Sequence, residues 1–151
     1  MTPDEARRWM REAIALARQA AELDEVPVGA VVVHNDKLIG QAHDLRVQLR
    51  DPTAHAEVLA LRQAAEHLGD WRLENSTLVV TLEPCPMCAG AALLARIPLV
   101  VYGAKNPKFG AVESQMPLLA HKGWNHRTQT VAGVLETECA ELLQHYFRAK
   151  R

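Results

Sequence analysis

No apolar run in these 151 residues approaches the ~20 that a membrane-spanning helix requires, so no such helix is expected. Met1-Thr2-Pro3-Asp4-Glu5 lacks the basic and apolar regions of a secretory leader, which points to a cytoplasmic protein. Excess charge is missing as well. Seventeen Lys and Arg against eighteen Asp and Glu leave a net charge of −1, which argues against indiscriminate coating of nucleic acid but allows a local basic footprint. Cysteine is scarce and odd in number, three in all, so a disulfide scaffold is disfavoured and metal or redox chemistry becomes the reading for Cys85-Pro86-Met87-Cys88. Repeats, low-complexity tracts and linkers are also lacking. What remains is 48% hydrophobic and 23% charged, a globular composition of the size of one domain over residues 1–151.

Hydropathy spacing gives the elements. Ala6, Trp9, Met10, Ala13, Ile14 and Ala17 recur at helical spacing between Pro3 and about Leu23, with Thr2 as N-cap. Val28 to His34 and Leu38 to His43 read as strands joined through Asn35-Asp36-Lys37. A helix is expected from Asp51-Pro52-Thr53 to about His67, stopped by Gly69. Then come a strand over Thr77 to Leu82, a helix opening at Pro86, and a strand over Leu99 to Tyr102 left by Gly103. A loop with a short helix precedes a strand over Thr128 to Val134, and a helix over Glu136 to Lys150 closes the chain. Strands alternating with helices predict an α/β three-layer α/β/α sandwich with a mixed, about five-stranded sheet.

The chemistry is concentrated in two stretches, Ala54-His55-Ala56-Glu57 and Thr81-Leu82-Glu83-Pro84-Cys85-Pro86-Met87-Cys88-Ala89-Gly90. One imidazole and two thiolates suit Zn²⁺, and three protein ligands leave a fourth position open, as catalysis requires. Cys85 and Cys88, at i and i+3, share one helical face. A helix N-terminus there favours thiolates. Glu57 is placed to carry a proton beside the metal. In a regular helix, however, residues two apart diverge by about 200°, so spacing alone does not make His55 and Glu57 converge. A closed structural zinc would need a fourth ligand such as Cys139, but that residue falls on the apolar stripe of the last helix, where a buried thiol is ordinary. A thioredoxin-like redox pair would have no use for a distant His-x-Glu. Arg46, Arg50, Lys105, Lys108, Lys122 and Arg127 fall in loops, and Arg148, Lys150 and Arg151 end the chain. They read either as solvated surface or as a nucleic-acid footprint.

His-x-Glu followed by Pro-Cys-x-x-Cys is the signature of zinc nucleobase deaminases. Together with Glu25-Val26-Pro27-Val28-Gly29-Ala30, Asn125-His126, Gly133-Val134-Leu135 and Tyr146-Phe147-Arg148, it makes nearly the whole chain resemble the cytidine deaminase-like superfamily, and within it the TadA-type tRNA adenosine deaminases. The resemblance implies a homodimer with one Zn²⁺ per chain on His55, Cys85 and Cys88. Its reaction would be hydrolytic deamination of the wobble adenosine in a tRNA anticodon loop to inosine, with Glu57 shuttling protons from the attacking water to N1 and the departing ammonia. It also implies backbone donors at Ala56 and Cys85 for the attacking oxygen, and substrate contacts at Val28, Asp44, Asn106, Phe147 and Arg148.

Three positions depart from that pattern: Asp44 stands where the family has asparagine, Asn106 where it has aspartate, and Glu113 where a glycine is common. Asp44 suits a base edge rich in N–H donors, so a deaminase of free nucleobases or nucleosides, of guanine or cytosine type, is the alternative enzyme. A zinc-folded RNA-binding module without catalysis is the alternative outside enzymes, although an intact Glu57 weighs against it. Asn106 removes a carboxylate that would penalise deoxyribose, which predicts relaxed acceptance of single-stranded DNA. A cap on the turn before Pro107 is its simpler role.

Overall fold

In the computed structural model, residues 1–150 are described. The first helix, α1 (Pro3–Glu22), starts as its sequence dictates: Thr2 Oγ1 accepts the Glu5 N–H at 3.1 Å and Pro3 occupies the first turn. Strands β1 (Gly29–His34) and β2 (Lys37–His43) form a hairpin around two residues, Asn35 and Asp36, both with positive φ. Lys37 belongs to the strand, because a two-residue turn of this handedness matches strand twist.

A short helix, α2 (Arg46–Leu49), occupies what reads in sequence as loop. It is held from outside: the buried Glu25 carboxylate accepts the N–H groups of Val47 and Gln48 at 3.0 and 2.7 Å. The following helix, α3 (Ala56–Leu68), begins later than its sequence suggests. Asp51 Oδ1 captures the Thr53 N–H and hydroxyl, and Thr53 carbonyl takes the His55 N–H, so residues 51–55 form a turned lead-in. Gly69 ends the helix in the left-handed region, as expected.

Strand β3 (Ser76–Leu82), helix α4 (Pro86–Leu94), strand β4 (Leu99–Ala104), a 3₁₀ turn (Leu118–Ala120), strand β5 (Gln129–Val131) and helix α5 (Glu136–Ala149) complete the chain. Gly103 continues β4 instead of ending it, since a Cβ there would stand 2.4 Å from Cys139 Sγ and 2.9 Å from the Thr81 carbonyl oxygen. At β5 the strand is shorter than expected. Thr128 spends its hydroxyl on the Ile97 carbonyl, and Gly133 turns the chain with φ of 77°. Leu135 caps α5 with positive φ and so stands outside its helical stripe.

The sheet runs β2-β1-β3-β4-β5, antiparallel at the hairpin and between β1 and β3, parallel through β3, β4 and β5. Alternate residues feed two cores. Ala30, Val32, Leu78, Val80, Val100 and Tyr102 pack with α3 and α4, and Val31, Val33, Val79 and Val101 pack with α1 and α5. This is the three-layer sandwich with a mixed five-stranded sheet. Both α4 and the loop after β4 emerge at the carboxyl ends of parallel strands, the edge where open α/β sheets build sites.

Candidate active site

His55 and Cys85 are both N-cap residues. Each has extended backbone, with φ and ψ of −75° and 151° for His55 and −73° and 174° for Cys85, and neither side chain caps its helix. The divergence of a regular helix therefore does not apply to His55 and Glu57: one lies before the helix and the other within its first turn. Cys85 and Cys88 approach as an N-cap and the third helical residue, and so face the same way without both being helical. The first N–H groups of both helices have no partner within the helix, Ala56 among them.

The three ligand atoms lie within 4.8 Å of one another. His55 Nδ1 is 3.6 Å from Cys85 Sγ and 3.5 Å from Cys88 Sγ. Zinc–sulfur and zinc–nitrogen bonds at a tetrahedral angle separate S from N by about 3.5–3.6 Å. The spacing and the donor set thus fit a zinc ion held through Nδ1. Cys139 is in the other core, against Gly103, and takes no part.

Hydrogen bonding from Cys88 holds the Cys85 thiol far below its ordinary value, at about 4, although burial opposes it. The same bond and its own burial push Cys88 up. A divalent cation bound between them would let both thiols ionise. Burial drives Glu57 up to about 7, resisted by its own backbone N–H and, among its neighbours, by the His55 charge and Cys88. At 4% exposure, its carboxyl faces all three ligands, within their field.

Glu83, absent from the sequence-derived site, organises the loop after β4. Its buried carboxylate accepts the N–H groups of Asn106 (3.1 Å), Val112 (3.2 Å), Glu113 (2.8 Å) and Ser114 (2.9 Å), and the Ser114 hydroxyl. Burial raises its pKa, but the hydrogen bonds from Ser114, Glu113 and Asn106 win and hold it at about 2. Its place between a strand and Pro84-Cys85 was the available signal. Glu113 does alter its surroundings, taking the hydroxyl proton of buried Tyr102 in a hydrogen bond.

The remaining candidates separate. Asp44 is 2% exposed, and its carboxylate is engaged by Arg46, through the backbone N–H at 2.9 Å and Nε at 2.9 and 3.1 Å. Arg46 is also near enough to His55 to act on it electrostatically, as the smallest of several influences after the Cys85 hydrogen bond, burial and the Glu57 and Cys85 charges. Val28 is core, its carbonyl accepting the Asp44 N–H at 3.1 Å. Asn106 caps its turn: Oδ1 accepts the Phe109 N–H at 3.1 Å. Phe147 and Arg148 make local contacts, edge-on to Tyr146 and back to the Gln144 carbonyl. Arg127 is committed to the carbonyls of His121 and Lys122, while Arg50, Lys105, Lys108 and Lys122 are exposed. Arg151 lies outside the described residues.

The profile of a family described as MafB19-like deaminase matches residues 4–151. A Bacillus subtilis (strain 168) protein named tRNA-specific adenosine deaminase is 50% identical over 151 residues, 100% of this chain and 92% of that protein. A solved structure from a study of A-to-I editing by tRNA:A34 deaminases at the wobble position of transfer RNA superposes with TM-score 0.87 at 44% identity. It covers 90% of this chain and 99% of that one. A guanine deaminase from Nitrosomonas europaea follows the same fold with TM-score 0.79 at 26% identity, over 93% of this chain and 83% of that one.

Proposed function

The chain belongs to the MafB19-like deaminase family and, within it, to the tRNA-specific adenosine deaminases, and from that membership we propose that it converts the wobble adenosine of a tRNA anticodon loop to inosine with release of ammonia. The higher identity to tRNA enzymes than to the guanine deaminase favours this substrate over a free base. One observation carries the chemistry: a buried carboxyl, Glu57, faces an imidazole and two thiols at zinc-ligand spacing.

His55, Cys85 and Cys88 would hold one Zn²⁺, whose chemistry would be to activate the attacking water by lowering its pKa to ~7. Glu57 would take a proton from the attacking water and deliver it to N1 of adenine as the water oxygen adds to C6. It then carries the second proton to the 6-amino group, which leaves as ammonia. Burial, which favours the protonated form of Glu57, suits a carboxyl that must return protons as well as accept them. The N–H groups of Ala56 and Cys85, at the helix starts, donate to the oxygen as charge develops.

The reading extends to a cytoplasmic homodimer. Val58, Leu61, Ala65, Ala91, Leu94 and Ala95 form an apolar depression between α3 and α4, rimmed by Trp71, and half-exposed Trp71 with exposed Leu94 suits burial against a second copy. The decisive assay is ammonia release from an anticodon stem-loop with adenosine at the wobble position, beside free adenosine, guanine and cytidine. Turnover of the stem-loop alone is expected; preference for a free base would overturn the assignment. Cobalt substitution should give an absorption spectrum of one nitrogen and two thiolate ligands.

A further inference from the structure

We propose that Phe109 is a stacking platform for the base of one nucleotide flanking the target adenosine. This rests on the functional reading above and names a contact that fixes how the single strand enters the site.

Phe109 is 66% exposed. Other exposed rings have intramolecular partners among the described residues: Trp71 lies under the guanidinium groups of Arg72 and Arg96, Trp124 packs edge-on against His121, and Phe147 against Tyr146. Phe109 has no aromatic or cationic partner of this kind. A phenyl ring left in water forgoes the stabilisation that its burial would contribute, so a ring held bare on a rigid turn calls for an occupant.

The turn is rigid. Asn106 accepts the N–H of Phe109 through Oδ1 at 3.1 Å and that of Gly110 through its carbonyl at 2.8 Å. Gln115 donates to the Pro107 carbonyl at 2.6 Å from its side chain and to the Gly110 carbonyl at 2.9 Å from its backbone. Gly110 itself is pressed against Glu83. The turn is also chained to the metal group. Ala111, two residues and at most about 7 Å of chain beyond Phe109, donates to the Pro84 carbonyl at 2.8 Å, and Pro84 directly precedes Cys85. Exposed Lys105 and Lys108 stand on the same turn and supply charge for phosphates. An exposed aromatic ring with two exposed lysines within four residues, on a segment tied to the metal group, is the combination that binds single-stranded nucleic acid without reading sequence.

The test uses the full-length zinc enzyme and anticodon stem-loops. Phe109→Ala should lower kcat/KM about 5- to 150-fold, the range that one base stacked on an aromatic spans, with the change mostly in KM. Phe109→Trp should retain activity, and Phe109→Leu, equally apolar but without a π face, should behave like alanine. Abasic nucleotides placed singly at each loop position beside the target should identify one position at which parent and Phe109→Ala become equal. An unchanged Phe109→Ala enzyme would overturn the proposal. So would a loss of the same size on every abasic substrate, or full rescue by leucine. A parent enzyme that turns over no stem-loop at all would overturn the functional reading and the stacking role together, whereas the other outcomes leave that reading intact.

Discussion

Gly110 lies so close to Glu83 that a Cβ added to the glycine would stand 2.3 Å from the glutamate's carboxyl carbon. Only a hydrogen there lets one carboxylate gather the backbone of residues 106–114. The loop beside the candidate metal group is therefore built around a buried charge, with five donors in place of water.

Glu83→Gln should destabilise the fold by about 3 kcal/mol at pH 7, because a carboxylate held at about 2 against an ordinary 4.5 gains roughly 1.4 kcal/mol per pH unit of separation. A depressed folded pKa gives stabilisation that is complete above about 4.5 and lost as pH falls toward 2. Denaturant unfolding at pH 7 and pH 3 checks this: the gap between parent and variant should narrow at the lower pH.

Glu57→Ala should retain one zinc per chain and a folded structure while losing turnover by about 10⁴ or more, since general acid–base catalysis contributes 10²–10⁴ and this carboxyl serves two transfers. Metal analysis beside single-turnover kinetics separates the roles. Retention of activity within tenfold would remove Glu57 from the chemistry.

Asp44 and Arg46 should behave as a unit. With the guanidinium on its carboxylate, Asp44 is not a free negative charge facing a base, which corrects the picture drawn from sequence of a bare carboxylate there. Arg46→Ala should cost activity on RNA about 5- to 150-fold by leaving that charge buried and unpaired, and adding Asp44→Asn should recover much of it. Additive losses in the double mutant would show the two act independently.

Asn106→Asp isolates sugar discrimination from loop folding, because aspartate can also accept the Phe109 N–H that Asn106 Oδ1 holds. A carboxylate accepts the 2′-hydroxyl proton of ribose and finds no such compensation in deoxyribose. Rates on matched RNA and DNA hairpins should therefore show a higher RNA-to-DNA ratio in the variant. An equal or smaller ratio leaves Asn106 with its turn alone.

Sequence by itself determined the layers and the chemical group. Strand alternation and the α1 stripe follow from local periodicity, and the imidazole, thiols and carboxylate are legible because metal chemistry restricts residue type. Tertiary structure alone decided how they meet. His55 joins Glu57 because Asp51 and Thr53 hold it outside the helix, a competition between side-chain and backbone hydrogen bonds that periodicity does not register. Glu25 and Glu83 are invisible for a related reason. Each gathers backbone N–H groups from residues 22 to 31 positions away, and a backbone donor carries no residue-type signal.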